Sequence, residues 1–382
     1  MKKLTILLTL VALAFPAAAQ SPVKFMASEE LSYDSNIYLT DKNTKESGIS
    51  TTRVGADYKA NIPGSGLQLS ANGVVGYNAY TEKPSKNNYW DMLAGVQLKN
   101  DLWTIGDRFL FTSDPANAEQ SNFQINKRPK RTNNTVYGSL KTSAEKLFSF
   151  GLTLEDINDH YMERSYERLN RNRFNGGVQV YYNISPKTNV FAEYVYSNIA
   201  YKSNKESNSS GNTFGLGVNG QLAPKVTGTA KLTYAMRDYN HSKPGMENHP
   251  DLLGYYIATE WKPTTQNVVR LSGERRMEET TYGNNRYFAD TVVSLYGAQK
   301  ILEKWTASLT LAWENMDYAR RYDNTSNKKR NDDLYTIRPA LDYQFKDWLT
   351  AGVWYQFRTR SSNVNPCDYD SNKTGVYVKA LF

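Results

Sequence analysis

Along most of this chain apolar side chains return at every second position, the period of a strand whose two faces meet different surroundings. Leu67, Leu69, Ala71, Gly73, Val75 and Tyr77 share one face, while Gln68, Ser70 and Asn72 open the other. Trp305, Ala307, Leu309, Leu311 and Trp313 alternate with Thr306, Ser308, Thr310 and Ala312. The rule recurs at Val190, Ala192, Tyr194 and Tyr196, from Leu349 to Phe357, and from Tyr335 to Phe345. Beyond the first twenty residues no stretch reads as a long amphipathic helix.

The pattern predicts eighteen strands, with cores beginning near Lys24, Ile49, Leu67, Tyr89, Leu102, Thr132, Phe148, Arg171, Asn189, Thr213, Val226, Leu252, Asn267, Tyr287, Trp305, Leu334, Leu349 and Lys373. The links between them alternate in length. Tight ones fall at Pro63-Gly64, Asn100-Asp101, Ser143–Lys146, Ser185-Pro186, Pro224-Lys225, Pro263–Thr265, Leu302-Glu303 and Lys346-Asp347. Longer polar links lie near 40–48, 82–88, 114–131, 162–170, 202–211, 240–250, 281–285, 319–331 and 362–370. A soluble sandwich has no reason to sort its loops by length. An even-stranded antiparallel barrel crossing a membrane does, with tight turns on the periplasmic rim and long loops outside. Only a closed sheet satisfies every backbone group in lipid. The expectation is therefore all-β: one transmembrane antiparallel barrel of about 18 strands over residues 21–382, both ends periplasmic.

Composition agrees. Hydrophobic residues make up 40% of the 382, too few for a bundle of membrane helices, and 28 of the 49 aromatic residues are Tyr, the residue of strands and membrane interfaces. The single cysteine excludes a disulfide framework. Lys2 and Lys3, the apolar run Leu4–Phe15 and Ala17-Ala18-Ala19 read as a secretory signal peptide over residues 1–20. Without its two lysines the chain keeps 44 basic against 38 acidic residues, +6. A balance that mild favours anions or lipid phosphates weakly, and an exported chain is a poor partner for nucleic acid. No plug segment is expected before the first strand.

The signal, the alternation and the ending Gly375-Val-Tyr-Val-Lys-Ala-Leu-Phe382 resemble Gram-negative outer-membrane barrels. In that class a terminal aromatic residue, here Phe382, is the signal that the barrel assembly machinery reads. The opening strand Leu31-Ser-Tyr-Asp-Ser-Asn-Ile-Tyr-Leu39 is similar to β-barrel porins of the porin 2 type. Its members are often encoded beside exopolysaccharide export systems. The resemblance implies a channel in the bacterial outer membrane, surrounded by lipid and lipopolysaccharide, with periplasmic export components as candidate partners. It implies no catalytic residues.

Several motifs read differently from their letters. Gly215-Leu-Gly217-Val-Asn-Gly220 spells a dinucleotide fingerprint but sits inside an alternating strand, without the helix that would present amides to a pyrophosphate. Asp159-His160 and Asp332-Asp333 hold the residue types that activate water in outer-membrane proteases, yet they fall near different loops. His241 and His249 lack a metal-ligand spacing, and Asp368-Tyr-Asp370-Ser-Asn372 starts like a calcium loop but has Lys373 where the turn glycine belongs. Tyr33-Asp-Ser-Asn36 and Tyr369-Asp-Ser-Asn372 repeat a tetrapeptide on the first and last strands, which chance explains. No enzyme activity, cofactor or metal is expected.

The polar faces carry the candidate chemistry. Arg53, Lys59, Lys231, Arg270, Arg338, Arg358 and Arg360, with Asp57, Glu193, Glu274 and Asp342, are expected to line a wet lumen, where their sign and spacing filter solutes. They could equally pair across strands and stiffen the wall. Lys127, Arg128, Lys130 and Arg131 close the third long loop, which either folds inward as a constriction or stays at the rim against lipopolysaccharide phosphates. The first functional expectation is a channel for small hydrophilic solutes with weak anion preference. An exit channel for extracellular polysaccharide and a sheath around a partner protein such as a cytochrome are the others.

Overall fold

The computed structural model describes residues 22–113, 129–142, 146–203, 207–241, 247–281, 285–321, 329–364 and 367–382. Its strands are β1 (Val23–Asp34), β2 (Ser47–Ile62), β3 (Leu67–Tyr80), β4 (Tyr89–Lys99), β5 (Trp103–Ser113), β6 (Lys130–Lys141), β7 (Phe148–Tyr161), β8 (Arg171–Ser185) and β9 (Thr188–Tyr201), followed by β10 (Ser209–Ala223), β11 (Val226–Tyr239), β12 (Asp251–Trp261), β13 (Asn267–Glu279), β14 (Tyr287–Lys300), β15 (Trp305–Arg321), β16 (Lys329–Lys346), β17 (Leu349–Ser362) and β18 (Tyr369–Leu381). Each pairs antiparallel with its sequence neighbours in one sheet, and β1 pairs β18, with Ala27 opposite Ala380 and Tyr33 opposite Thr374. Closure leaves no edge, as lipid requires. The predicted fold is the observed one.

Predicted and observed strands differ mostly at one rim. β10 begins at Ser209, β16 at Lys329 and β18 at Tyr369, each about a turn of loop earlier than the apolar alternation indicates. Above the lipid neither face needs to be apolar, so the ladder continues through polar residues that carry no periodic signal. The same effect corrects the third long loop. Lys130 and Arg131 are not loop residues but the first two of β6, paired with Ser113 and Thr112. Lys127 and Arg128 lie outside the described residues, as do residues 1–20, where a signal peptide is expected.

Tight connections between β2 and β3, β8 and β9, or β10 and β11 mark one rim. Gly220, near the end of β10 and at φ +116°, is required because a Cβ there would strike the Lys187 carbonyl of the β8–β9 turn. The outer face is a continuous apolar band, with Leu216 69% exposed and Leu232, Leu253 and Val378 around it. Phe25, Phe148, Trp261 and Trp305 edge it toward the tight turns, and Tyr33, Trp90, Tyr234 and Tyr335 toward the long loops, as at two membrane interfaces. Phe382 sits in the first group, its ring 6.1 Å from Phe25 and its backbone bonded to Phe25 in both directions.

Two clusters of buried apolar side chains lie inside the long-loop rim. Ile37 of the first loop packs on Ile49 and Tyr80. Val364 and Cys367 of the last loop pack on Phe288, Met316 and Tyr318 of β14 and β15. The repeated tetrapeptide turns out to be structural, against the expectation of chance. Asn36 Nδ2 donates to the Asp370 carbonyl at 2.9 Å, Ser371 Oγ to Asp34 at 3.1 Å and the Asn372 amide to Ser35 Oγ at 2.9 Å. The two copies thus latch the first strand to the last at the rim. Asn36→Ala should cost the latch about 1–2 kcal/mol, because the buried amide loses its hydrogen bonds to the Thr40 and Asp370 carbonyls. Amide exchange should quicken at 35–40 and 369–372 and stay unchanged in the lower half of the barrel. Unchanged exchange at both segments would show that the latch contributes nothing.

Candidate channel lumen

An eighteen-stranded barrel is wide enough to hold water, so its interior is set by side chains on the inner face. All eleven predicted wall residues share the face opposite the apolar band, since each alternates with an exposed apolar position on its own strand. The arrangement they make is only partly the expected one. Most lie flat against the wall.

Three times the wall uses the same device: a glycine on a central strand lets side chains from its two neighbours meet above it. Gly76 of β3 stands opposite Arg53 and Asp91, and Arg53 reaches Asp91 at 3.2 Å over it. Tyr137 O–H donates to Gln97 at 3.0 Å over Gly106. Tyr377 O–H donates to Asp342 at 2.7 Å over Gly352. A fourth case explains the apparent nucleotide motif. Gly215 and Gly217 lie within β10, where Cβ atoms would collide with Glu193 and Lys231; their absence lets Lys231 cross to Glu193. The glycines make room for an ion pair.

Other charges are also committed. Arg270 bonds Glu260 at 2.8 Å, and Arg276 gathers Glu274, Glu278 and Asp290 at 2.8, 3.1 and 3.2 Å. Arg360 donates to the Cys367 carbonyl at 2.6 Å and holds the last loop. Asp57 and Lys59 are exposed to the lumen near the tight-turn rim. The protease-like pairing does not assemble. Asp159 faces inward, within 3.5 Å of Arg131, 3.3 Å of Arg171 and 3.1 Å of Arg173, while His160 is exposed on the other face and Asp332 is paired to Arg330. His249 bonds Asp238 at 2.6 Å on the exposed rim. Among the described residues no group of His, Cys, Asp and Glu is arranged to hold a metal ion.

Some inward cations have no acidic partner. Arg338, Arg358 and Lys373 lie on adjacent strands β16, β17 and β18, Arg338 halfway along its strand and the other two near the latch, opposite Ser371 and Asp34, and none makes an ion pair among the described residues. Lys373 and Trp354 were missed in the sequence: one fell at an assumed strand start, and the other looks like any aromatic residue of an alternating strand. Asp91 was missed because the glycine between it and Arg53 gives no charge signal.

No curated protein sequence matches this chain. Solved structures do resemble it in fold. The outer membrane protein opdK from Pseudomonas aeruginosa aligns with TM-score 0.53 and 8% identity, over 94% of this chain and 99% of that one. Pseudomonas aeruginosa OccK5 (OpdH) aligns with TM-score 0.51 and 11% identity, over 94% and 98%. Acinetobacter baumannii OccAB3 gives 0.50 and 10%, over 94% and 99%. The family described as putative beta-barrel porin 2 matches residues 24–382, so this bacterial outer-membrane, porin-like barrel belongs to that family.

Proposed function

We propose that the barrel is a passive, water-filled channel for small hydrophilic solutes with a weak preference for anions, and that it performs no reaction. The observation that supports the reading is the uneven wall. Many inner charges are committed to partners on the wall, some of them across glycines, whereas Arg338, Arg358 and Lys373 make no ion pair among the described residues and bias the sign that a passing ion meets. Their excess is small, which fits a bias rather than strict selection.

Purified protein refolded into a planar bilayer should show steady open channels with an anion-biased reversal potential in a salt gradient. A charge at about 4 Å in water is worth about 1 kcal/mol before screening. Arg358→Ala should therefore lower the anion-to-cation permeability ratio roughly two- to fivefold. A folded barrel that passes no current would sink the channel reading and favour polymer exit or a sheath around a partner. A current whose bias ignores Arg358 would remove these cations from the account of selectivity.

A further inference from the structure

Trp354 is mounted on the lumen wall as a plate. It stands opposite Gly375 of β18, and a Cβ there would lie 2.8 Å from Cε2 and Cζ2 of the indole and 2.9 Å from Nε1. One face of the ring therefore rests on backbone. The indole N–H donates to Glu30 of β1 at 3.3 Å, which fixes the plate in rotation. Two cations lie over the ring. The Arg338 guanidinium carbon is 4.7 Å from the ring centroid and Lys373 Nζ is 5.8 Å from it. Between sheet and cations the indole is left 7% exposed.

The acids nearby accept hydrogen bonds elsewhere, Glu30 from the indole N–H, Asp342 from the Tyr377 hydroxyl, and Asp34, opposite Lys373 on β1, from the Asn36 amide and the Ser371 hydroxyl. A cation held over an aromatic face spends its charge on the quadrupole and keeps its N–H donors free. The plate thus stops both side chains from collapsing onto wall carboxylates and presents their donors together to the lumen. A planar guanidinium offers a bidentate fork that fits a carboxylate, and an ammonium beside it supplies a further donor. Chloride offers the fork one acceptor atom where a carboxylate offers two, and a neutral polyol gains little from the charge.

We propose that Arg338 and Lys373, carried on Trp354, form a binding site for the carboxylate of a small hydrophilic solute inside the lumen. The proposal rests on the channel reading and deepens it. Binding there concentrates such a solute within the passage, and the exposed lumen side lets it leave.

The test uses gluconate as the probe and sorbitol as its uncharged counterpart. Gluconate should reduce the chloride current of the wild-type channel, and sorbitol at equal concentration should not. The double variant Arg338→Gln, Lys373→Gln should raise the half-blocking concentration about tenfold or more. Trp354→Leu keeps both charges but removes their mount, so it should weaken the block while the reversal potential stays anion-biased. Titration calorimetry of gluconate into the refolded barrel reads the same site without any current, and heat-modifiable migration confirms that each variant is folded. Equal block of wild type and double variant, or equal block by sorbitol, would overturn the site. A wild type that conducts but shows neither block nor binding heat overturns the site and leaves the channel standing. One that binds gluconate but passes no current does the reverse.

Discussion

Replacing Asp332 by Ala should expose Cys367, the chain's single cysteine, to thiol reagents at a rate roughly a hundredfold or more above that of the wild type. Arg330 and Asp332 form a doubly bonded pair with side chains 2% and 0% exposed, and the guanidinium lies 4.7 Å from the Tyr318 ring. Tyr318 is also the floor on which Val364 and Cys367 pack. Removing the carboxylate leaves a buried positive charge against that floor, and breaking such a pair costs about 3–5 kcal/mol. The cheapest relief is local: the last loop lifts and water reaches Arg330. Cys367, 7% exposed in the closed state, then becomes reactive while the barrel below stays folded. Arg330→Met with Asp332→Leu removes both charges at similar volume and should restore slow labelling. If Asp332→Ala labels as slowly as the wild type, the pair does not hold the loop.

The second large effect is on the opposite face. Leu216→Arg should destabilise the barrel by about 2–4 kcal/mol, the cost of a cation on the lipid side near mid-bilayer. Leu216 lies midway along β10 and is the most exposed position of the outer band, so nothing in the protein can accept the charge. Ser272→Arg on β13 is the matched control, because that side chain faces the lumen and is exposed there. It should stay within about 0.5 kcal/mol. Denaturant midpoints for refolding into lipid vesicles measure both. Equal losses for the two would contradict the assignment of faces.

That assignment is also where sequence and structure agree most closely. Lipid on one side and water on the other impose an alternation that must be written into the residues themselves. Leu216 between Gly215 and Gly217, and Leu309 between Ser308 and Thr310, therefore reveal their faces without coordinates. Link lengths reveal the two rims for a similar reason, since tight turns and long loops differ in composition and spacing.

Above the lipid that constraint ends, and so does legibility. The upper turns of β10, β16 and β18, and the strand state of Lys130 and Arg131, are fixed by continued hydrogen bonding to a neighbour already in register. The partners of the inner charges were hidden for another reason. A side chain crossing a glycine meets a residue two strands away, so Arg53 finds Asp91 and Asp342 finds Tyr377 only once three strands are aligned. The tetrapeptide at Tyr33 and its copy at Tyr369 are visible as a repeat, but closure alone makes them a latch. The sequence by itself determined which residues face lipid, which face water, and how many times the chain crosses, because solvent acts on each residue separately. Tertiary structure decided which charges cancel and which lie over Trp354, because that depends on the register of two or three neighbouring strands, which no single strand's pattern contains.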